Sequence, residues 1–360
     1  MVAHPCRRID EGVTAAFHEE RDRVIEESKV YRCRQEGGES VGEPVGIRSN
    51  DAAGGVSAGA TAPMSDADRA VNDSLLRPIG EGIHTQSEGG MRLTPHPAFP
   101  LMHEVLALAR RAGERIVEIA AGSYEVSTKS DQTPLTTADM AAHHIIVDGL
   151  RALDPDLPVL SEESEEIPFA ERHGWPRHWL VDPLDGTREF IRGNGEFAVN
   201  IALVEGNRPL LGVVVAPVLD VAYFAARGAG AWRQCGLAGA EPIHVRPVPS
   251  DRPTVARSRC PVTGERLQRF LDELGEHDEI AMGASLKSCL VAEGVADVYA
   301  RLGPTGEWDT AAAQVIVEEA GGHITDATAR DLRYNERESL INPHFVVYGD
   351  DRIDWARHIA

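Results

Sequence analysis

The chain has 360 residues, of which 42% are hydrophobic and 26% are charged, and its formal net charge is -21. This length suffices for two domains of ordinary size. The acidic balance argues against general binding to nucleic acids or anionic membranes, but it leaves room for small phosphorylated substrates, because bound cations reverse the local charge.

The cysteines indicate a reducing compartment, and the apolar runs are too short for a membrane span. The five cysteines are scattered and form no C-x-x-C pair, which argues against a zinc or disulfide framework. No apolar run reaches the ~18 residues of a membrane span, and the N-terminal segment lacks the apolar core of a signal peptide. We therefore expect a cytoplasmic protein.

Residues 1–95 differ in composition from the rest of the chain. They include glycine-rich polar stretches such as GGES and DAAGGVSAGATAP, and they contain few aromatic residues. A segment of this kind buries too little apolar surface to offset the entropy lost on ordering. We expect a mostly disordered N-terminal extension with one short helix around residues 11–29.

Regular apolar spacing begins near residue 98. FPLMHEVLALARRAGERIVEIAAG predicts a helix that stops at Gly122. A short strand, a polar loop and a second helix follow, and Thr136 and Asp139 have the spacing of a capping box for that helix. LPVLSEE and HWLVDPLDG predict strands that end in acidic residues. Residues 197–234 are short β-rich runs divided by Gly, Asn and Pro, which predict an antiparallel meander.

Beyond about residue 243 strands and helices alternate. Strands are expected at 254–256 and within ADVYARLG and HFVVYG, and helices at 265–274, at 285–293 and within WDTAAAQVIVEEAGG. The sequence therefore predicts an α/β (α+β) protein. We expect an α+β half with an antiparallel sheet over residues 96–240 and an α/β half over residues 241–360.

Acidic residues follow three apolar segments, at Glu162 with Glu163, at Asp182 with Asp185, and at Asp309. Each pattern alone is ordinary, because acidic residues favour helix starts and turns. Their combination predicts a metal site, and Pro183 is expected to stiffen a D-P-L-D turn that holds two carboxylates together. Oxygen ligands without Cys or His suit Mg²⁺ or Mn²⁺, and paired Mg²⁺ ions serve phosphoryl hydrolysis.

These motifs carry a family resemblance. WLVDPLDGTREFI, VLSEE and WDTAAAQVIVEEAGG together resemble the inositol monophosphatase superfamily of Mg²⁺-dependent, lithium-sensitive phosphatases. Within it, KSDQTPLTTADMAAH, REFIRGNGEFAVNIAL and GASLKSCLVAEG resemble the CysQ type of 3′(2′),5′-bisphosphate nucleotidase. The similarity runs from about residue 99 to residue 349. It implies a layered α-β-α-β-α sandwich of the inositol monophosphatase / fructose-1,6-bisphosphatase type, and an active site completed by the second half.

The resemblance also implies residue roles. The implied ligands of two or three Mg²⁺ ions are Glu162, Asp182, the Leu184 carbonyl, Asp185 and Asp309. Four of them are also implied to contact the substrate: Glu162, Leu184, Asp185 and Asp309. Gly186 and Thr187 would meet the scissile phosphate, and Thr187 would pair with Asp139 to activate the attacking water.

The implied contacts to a second phosphate are Ser285, Lys287 and Arg301, since two cations suit a phosphate that is not cleaved. Lys287 could instead be a surface residue of its helix. The chain departs from the family at ARSRCP, where Arg259 stands near a position that often holds His. A contact to the base or a phosphate at that position is left open.

The implied reaction is hydrolysis of the 3′-phosphate of adenosine 3′,5′-bisphosphate to AMP, with 3′-phosphoadenylyl sulfate as a second substrate, in sulfur assimilation and nucleotide recycling. An inositol-phosphate or fructose-bisphosphate phosphatase is the alternative enzyme. A non-catalytic phosphometabolite-binding regulatory protein is the third hypothesis, and the complete set of acids argues against it. No nucleic acid, integral membrane segment or obligate protein partner is implied, and a peripheral position on the cytoplasmic face of the inner membrane is left open.

Overall fold

The computed structural model describes residues 98–122, 124–128, 134–236, 238–248, 252–259 and 265–359. The expected N-terminal extension, with its helix around residues 11–29, lies outside these ranges. Among the described helices none is long and apolar enough to cross a membrane.

The helices and strands follow one another along most of the described chain. The helices are α1 (Ala98–Ala120), α2 (Thr137–Leu153), α3 (Phe169–Arg172), α4 (Thr187–Arg192), α5 (Glu265–Leu274), α6 (Leu286–Ala292) and α7 (Ala311–Glu319), with 3-10 turns at Glu307–Asp309 and Ala356–His358. The strands are β1 (Val126–Thr128), β2 (Pro134–Thr136), β3 (Val159–Ser161), β4 (Arg177–Asp185), β5 (Ala198–Glu205), β6 (Arg208–Ala216), β7 (Val221–Ala226), β8 (Ala231–Cys235), β9 (Glu241–Pro242), β10 (Thr254–Arg257), β11 (Asp278–Ala281), β12 (Val298–Arg301), β13 (His323–Asp326) and β14 (Phe345–Tyr348).

A seven-stranded sheet forms the first β-layer, in the order β3-β4-β5-β6-β7-β8-β9. β3 and β4 are parallel, and the strands from β4 to β9 pair antiparallel. The sheet is buried on both faces because successive side chains of a strand point to opposite sides. In β5, for example, Val199 and Ile201 face one core while Ala198 and Ala202 face the other. The antiparallel meander expected over residues 197–234 is confirmed.

Helices α1 and α2 cover one face of this sheet. Their apolar residues recur at helical spacing, so that Met102, Val105 and Leu108 of α1 and Ala142 and Ile146 of α2 join the same core. The Thr136 side chain caps α2 and the Asp139 side chain returns a bond to the Thr136 backbone, which confirms the capping box. That box fixes the position of the acidic residue at the start of α2.

Helices α6 and α7 cover the opposite face and lie between the two sheets. Gly212 of β6 allows the close approach of α7, because a Cβ at this position would lie 2.3 Å from the Ala312 carbonyl oxygen. The second sheet has the order β11-β10-β12-β14-β13, and α5 and the C-terminal 3-10 turn pack on its outer face around Phe270 and Trp355. The layers are thus α-β-α-β-α, as expected from the resemblance.

Six short helices and strands of the described residues were not predicted from the sequence: β2, α3, α4, β9, β11 and β13. β11 and β13 lie at the edges of the second sheet, and each has only four residues. Such short segments have weak periodicity, so they are stabilised by pairing with neighbouring strands rather than by their own pattern. The division into halves at about residue 240 stays a prediction.

Candidate active site

The D-P-L-D segment is part of strand β4 and not a turn, so that expectation is wrong. Asp182 pairs with Asn200 and Asp185 pairs with Ala198 of β5, with a register shift between them. Three steps along β4 therefore match two steps along β5, which is the geometry of a β-bulge. Pro183 fits there because a bulge releases one residue from the ladder of hydrogen bonds. The bulge still keeps both acids at the same end of the strand.

Three carboxylates converge at this strand end, and we call Glu162, Asp182 and Asp309 the carboxylate cluster. Each offers one oxygen, and these oxygens all lie within 4.8 Å of one another. Glu162 follows β3, which runs parallel to β4, and its N–H donates to the Val181 carbonyl at 3.0 Å. Asp309 comes from a 3-10 turn 127 residues beyond Asp182 in the numbering of the chain.

Asp309 ends the 3-10 turn Glu307–Asp309 rather than opening a helix, because α7 begins two residues later at Ala311. The Gly306 N–H donates to its Oδ2 at 3.0 Å. The Asp182 Oδ1 accepts the Leu184 N–H at 3.0 Å. Each of these bonds orients a member of the carboxylate cluster through a backbone N–H no more than three residues away.

Burial and mutual repulsion both disfavour the charged forms of the carboxylates in this cluster. Burial raises the pKa of Asp182 well above its usual range, and the carboxylates of Glu162, Asp185 and Asp309 raise it further. Burial likewise raises the pKa of Asp309, with Asp185 and Glu162 adding to the effect. A bound dication would remove this repulsion, and the carboxylate oxygens would take the place of water molecules around the ion. The donor set is oxygen alone, so it fits a hard cation.

Asp185 lies beside the carboxylate cluster but is held by a different set of groups. Its Oδ2 accepts the Ser285 N–H at 2.5 Å and the Asn200 Nδ2–H at 3.1 Å. The Ser285 hydroxyl in turn donates to the Asn200 Oδ1 at 2.8 Å. Ser285 therefore contacts the predicted metal site through Asp185, while a role for Asp185 as a ligand stays a prediction.

Gly186 and Thr187 connect the strand end to Asp139. Gly186 has a φ of 91°, a left-handed conformation that favours glycine, and α4 begins at Thr187. The Thr187 hydroxyl lies 3.2 Å from the Asp139 Oδ1 and 3.4 Å from the Leu184 carbonyl. Asp139 is buried, and its Oδ2 accepts the Thr136 N–H at 2.7 Å. The structure thus brings together the Thr187–Asp139 pair expected from the sequence.

Lys287 is buried, so the alternative that it is a surface residue of its helix is wrong. Its ammonium group donates to the Ala284 carbonyl and lies 5.2 Å from the centre of the Tyr299 ring. Burial lowers the pKa of Lys287 to about 8, with repulsion from Arg301 in the same direction, while nearby carboxylates including Asp185 oppose it. Arg301 lies two residues beyond Tyr299 in β12, so its side chain leaves the strand on the same face as the ring beside Lys287.

Arg301, at the end of β12, is held by its own loop. Its Nε donates to the Thr305 Oγ1 at 2.5 Å and its Nη2 donates to the Pro304 carbonyl at 2.8 Å. These bonds fix the guanidinium group against the loop that follows β12.

Two site residues escaped the sequence analysis, Asn200 and Glu196. Asn200 pairs opposite Asp182 in β5 and bonds both Asp185 and Ser285. Glu196 is fully buried and forms a two-pronged ion pair with Arg259. A signal was present in both cases, because each is a polar residue in or beside the apolar run FAVNIALV.

The comparisons with known proteins agree with this geometry. Residues 101–351 match the model of the inositol monophosphatase family. The chain belongs to the inositol monophosphatase family. The resemblance and the fold class expected from the sequence are thereby confirmed.

Relatives of the CysQ type are among the similar proteins. The chain is 48% identical over 249 residues to the 3′(2′),5′-bisphosphate nucleotidase CysQ of Salmonella typhimurium, covering 69% of this chain and 99% of that protein. It is 40% identical to the CysQ nucleotidase of Haemophilus influenzae, covering 71% and 95%. Among solved structures, CysQ from Bacteroides thetaiotaomicron matches with a TM-score of 0.61 and 38% identity, covering 69% and 97%.

Proposed function

We propose that the protein is a metal-dependent 3′(2′),5′-bisphosphate nucleotidase that hydrolyses the 3′-phosphate of adenosine 3′,5′-bisphosphate. The observation that carries this proposal is the mutually repelling carboxylate cluster, with Asp182 buried and Glu162 and Asp309 half-buried, beside the Thr187–Asp139 pair. The activity for which the CysQ relatives are named supports the choice of substrate. In the reaction, water attacks the 3′-phosphorus, the bond from phosphorus to the 3′-oxygen breaks, and AMP and phosphate leave.

The residues that would hold the metal ions are Glu162, Asp182, Asp309, Asp185 and the Leu184 carbonyl. Their all-oxygen chemistry favours Mg²⁺, with Mn²⁺ as a substitute. Bound dications supply charge that polarises the phosphate and acidifies water. Metal binding would also offset the repulsion that raises the pKa of Asp182 and Asp309 in the metal-free protein.

The Thr187–Asp139 pair is suited to deprotonating the attacking water. The Thr187 hydroxyl donates a hydrogen bond to Asp139, which leaves the lone pairs of the Thr187 oxygen free to accept a hydrogen bond from water. As the attacking water gives its proton to the Thr187 oxygen, the Thr187 hydroxyl proton would pass to Asp139. The Thr136 N–H and hydroxyl both donate to the Asp139 Oδ2, which leaves the Oδ1 directed at Thr187. The capping box of α2 thus orients the proposed base.

Gly186 and Thr187 are proposed to meet the phosphate that is cleaved. The left-handed backbone at Gly186 allows the chain to turn from β4 into α4 without a side chain at the corner. A Cβ there would already lie 3.4 Å from the Glu196 carbonyl oxygen. The corner is thus closely packed on one side, and glycine leaves room for a phosphate oxygen to approach the backbone.

Lys287, Arg301 and the Ser285 hydroxyl are proposed to hold the 5′-phosphate. A doubly charged anion between these two cationic groups would be bound by charge-assisted hydrogen bonds. Binding energy from this remote phosphate would position the reacting one. Activity on 3′-phosphoadenylyl sulfate and a role in sulfur assimilation and nucleotide recycling are further parts of this proposal. The cytoplasmic location and the membrane-peripheral alternative stay predictions.

The proposal is tested by measuring phosphate release from a panel of esters with Mg²⁺, with and without Li⁺. The panel contains adenosine 3′,5′-bisphosphate, 3′-phosphoadenylyl sulfate, inositol 1-phosphate and fructose 1,6-bisphosphate. We expect the highest kcat/KM for adenosine 3′,5′-bisphosphate, and inhibition by Li⁺. Preference for inositol 1-phosphate or fructose 1,6-bisphosphate would refute the nucleotidase assignment, and the absence of Mg²⁺-dependent turnover on every ester would refute catalysis.

A further inference from the structure

Glu196 is an acidic side chain that the proposed reaction does not use, and it is fully buried. Its Oε2 accepts the Arg259 Nε–H at 2.7 Å and its Oε1 accepts the Arg259 Nη2–H at 2.5 Å. Its Oε2 also accepts the Gly283 N–H at 3.0 Å. One carboxylate thus joins the start of β5 to two loops that lie 63 and 87 residues further along the chain.

The loop that Glu196 binds, residues 282–285, is the one that contacts Asp185. It runs from β11 to α6, and two residues after Gly283 the Ser285 N–H donates to Asp185. Between them, Ala284 has a φ of 51°, which is unusual for a residue with a side chain. Such a conformation persists only where the surroundings hold it. The bonds at Gly283 and Ser285 hold it from both sides.

Close packing leaves this loop little freedom to move. A Cβ at Gly283 would lie 2.3 Å from the Glu196 carbonyl oxygen and 2.8 Å from the Glu189 Cγ. The Ala284 carbonyl accepts the Lys287 ammonium group. A shift of the loop would therefore move Ser285, Lys287 and the bond to Asp185 together.

We propose that Glu196 is a positioning residue that fixes loop 282–285, and with it Ser285 and Lys287, in the arrangement that binds the phosphate not cleaved. This inference rests on the proposed function for the identity of that phosphate. Arg259 acts through Glu196, because its forked guanidinium fixes the carboxylate more tightly than a single point charge would. We call the hydrogen bonds of Glu196 to Arg259 and to the Gly283 N–H the latch. Glu196 is expected to contact neither the substrate nor a metal ion.

A purely structural role for Glu196 is separated from positioning by a matched control. Asp297 is also a fully buried carboxylate in a two-pronged ion pair, here with Arg246 at 2.8 and 3.0 Å. It accepts a backbone N–H as well, from Thr254 at 2.6 Å. The pair lies at the start of β12, whereas Arg301 lies at its end. Asp297→Asn therefore removes the same kind of carboxylate, but at a position that makes no described hydrogen bond to loop 282–285.

The first test is hydrogen exchange at the amides of Gly283 and Ser285 in the metal-free, full-length protein. Glu196→Gln keeps the shape but places an amide group against an Arg259 donor at either oxygen position, and against the Gly283 N–H as well at the Oε2 position. Exchange should therefore become about 10-fold faster, the scale of one lost bond to a charged group. Arg259→Lys retains a cation against Glu196, and it serves if Glu196→Gln does not fold. Unchanged exchange in both variants, or equally faster exchange in Asp297→Asn, would overturn the latch.

The second test is kinetic. With adenosine 3′,5′-bisphosphate, Glu196→Gln and Arg259→Lys should raise KM by roughly 10-fold while kcat changes less, and Asp297→Asn should lower only the melting temperature. An equal fall in kcat for bisphosphate and inositol 1-phosphate with no change in KM would overturn the positioning role. If the wild type prefers another ester, the proposed function fails, whereas the exchange experiment still decides whether the latch exists.

Discussion

Replacing Asp182 by Asn should have opposite effects on stability and on activity. Asp182 is buried, and burial and three nearby carboxylates raise its pKa. Asn keeps the size of the side chain, its Oδ1 can still accept the Leu184 N–H, and its amide can still donate to Asp309. The substitution therefore removes charge while leaving the packing in place.

The magnitude follows from the geometry of the carboxylate cluster. At a separation of 4.8 Å two unit charges repel by about 3 kcal/mol at an effective dielectric constant of ~20. At a pH above the raised pKa of Asp182, where its carboxylate is ionised, relief of one such interaction should raise the melting temperature of the metal-free protein by roughly 6–12 °C. Phosphate release in saturating Mg²⁺ should fall at least ~10²-fold, the scale of one electrostatic catalytic group.

The assay is thermal unfolding of wild type and Asp182→Asn in a chelator and in Mg²⁺, beside phosphate release. Wild type should be stabilised by Mg²⁺, because an ion that binds only the folded state shifts the folding equilibrium, and the variant should lose most of that gain. Asp297→Asn is the control, since its carboxylate has a cationic partner and its loss should destabilise the protein. The reasoning is refuted if Asp182→Asn destabilises the metal-free protein as Asp297→Asn does, or if it retains near-normal turnover.

Three further predictions concern substrate choice, pH and the N-terminal segment. Lys287→Met should remove about 1.5–3 kcal/mol of transition-state stabilisation for adenosine 3′,5′-bisphosphate, which lowers its kcat/KM, and should change inositol 1-phosphate turnover little. Equal losses on both substrates would contradict the placement of the 5′-phosphate. Burial lowers the pKa of His178 to about 4, with Arg172 adding to the effect, so the unfolded chain binds a proton between pH 6.5 and 4 that the folded chain does not. The contribution of His178 to the free energy of unfolding is about 3 kcal/mol above pH 6.5 and is lost as the pH falls toward 4. In urea unfolding measured at several pH values, His178→Phe should lack this part of the pH dependence that wild type shows. Deleting residues 1–90, which the composition marks as poor in apolar surface, should leave the melting temperature and kcat/KM nearly unchanged, and an insoluble or inactive product would show that the boundary is wrong.

Local signals in the sequence predicted those elements that are decided by neighbouring residues. The capping box at Thr136 and Asp139 formed as predicted, because all of its bonds lie within one turn of α2. Helix α5 has the predicted bounds, Glu265–Leu274. The antiparallel meander followed from short alternating strands and their turns, since each hairpin pairs segments that are adjacent in the chain. The family motifs likewise predicted which acidic residues converge, although the amino-acid sequence alone left their geometry open.

Tertiary structure decided the features that depend on pairing across the chain. Pro183 lies in a bulge rather than a turn because β5 continues to pair with β4 beyond it, and the letters D-P-L-D are compatible with both. Lys287 is buried because α6 lies between two sheets, whereas a helix of seven residues has too short a pattern to show which faces are covered. Glu196 and Arg259 meet from positions 63 residues apart. The sequence by itself determined the local elements and the residue types of the site, and packing determined which of those residues lost water and therefore which charges interact strongly.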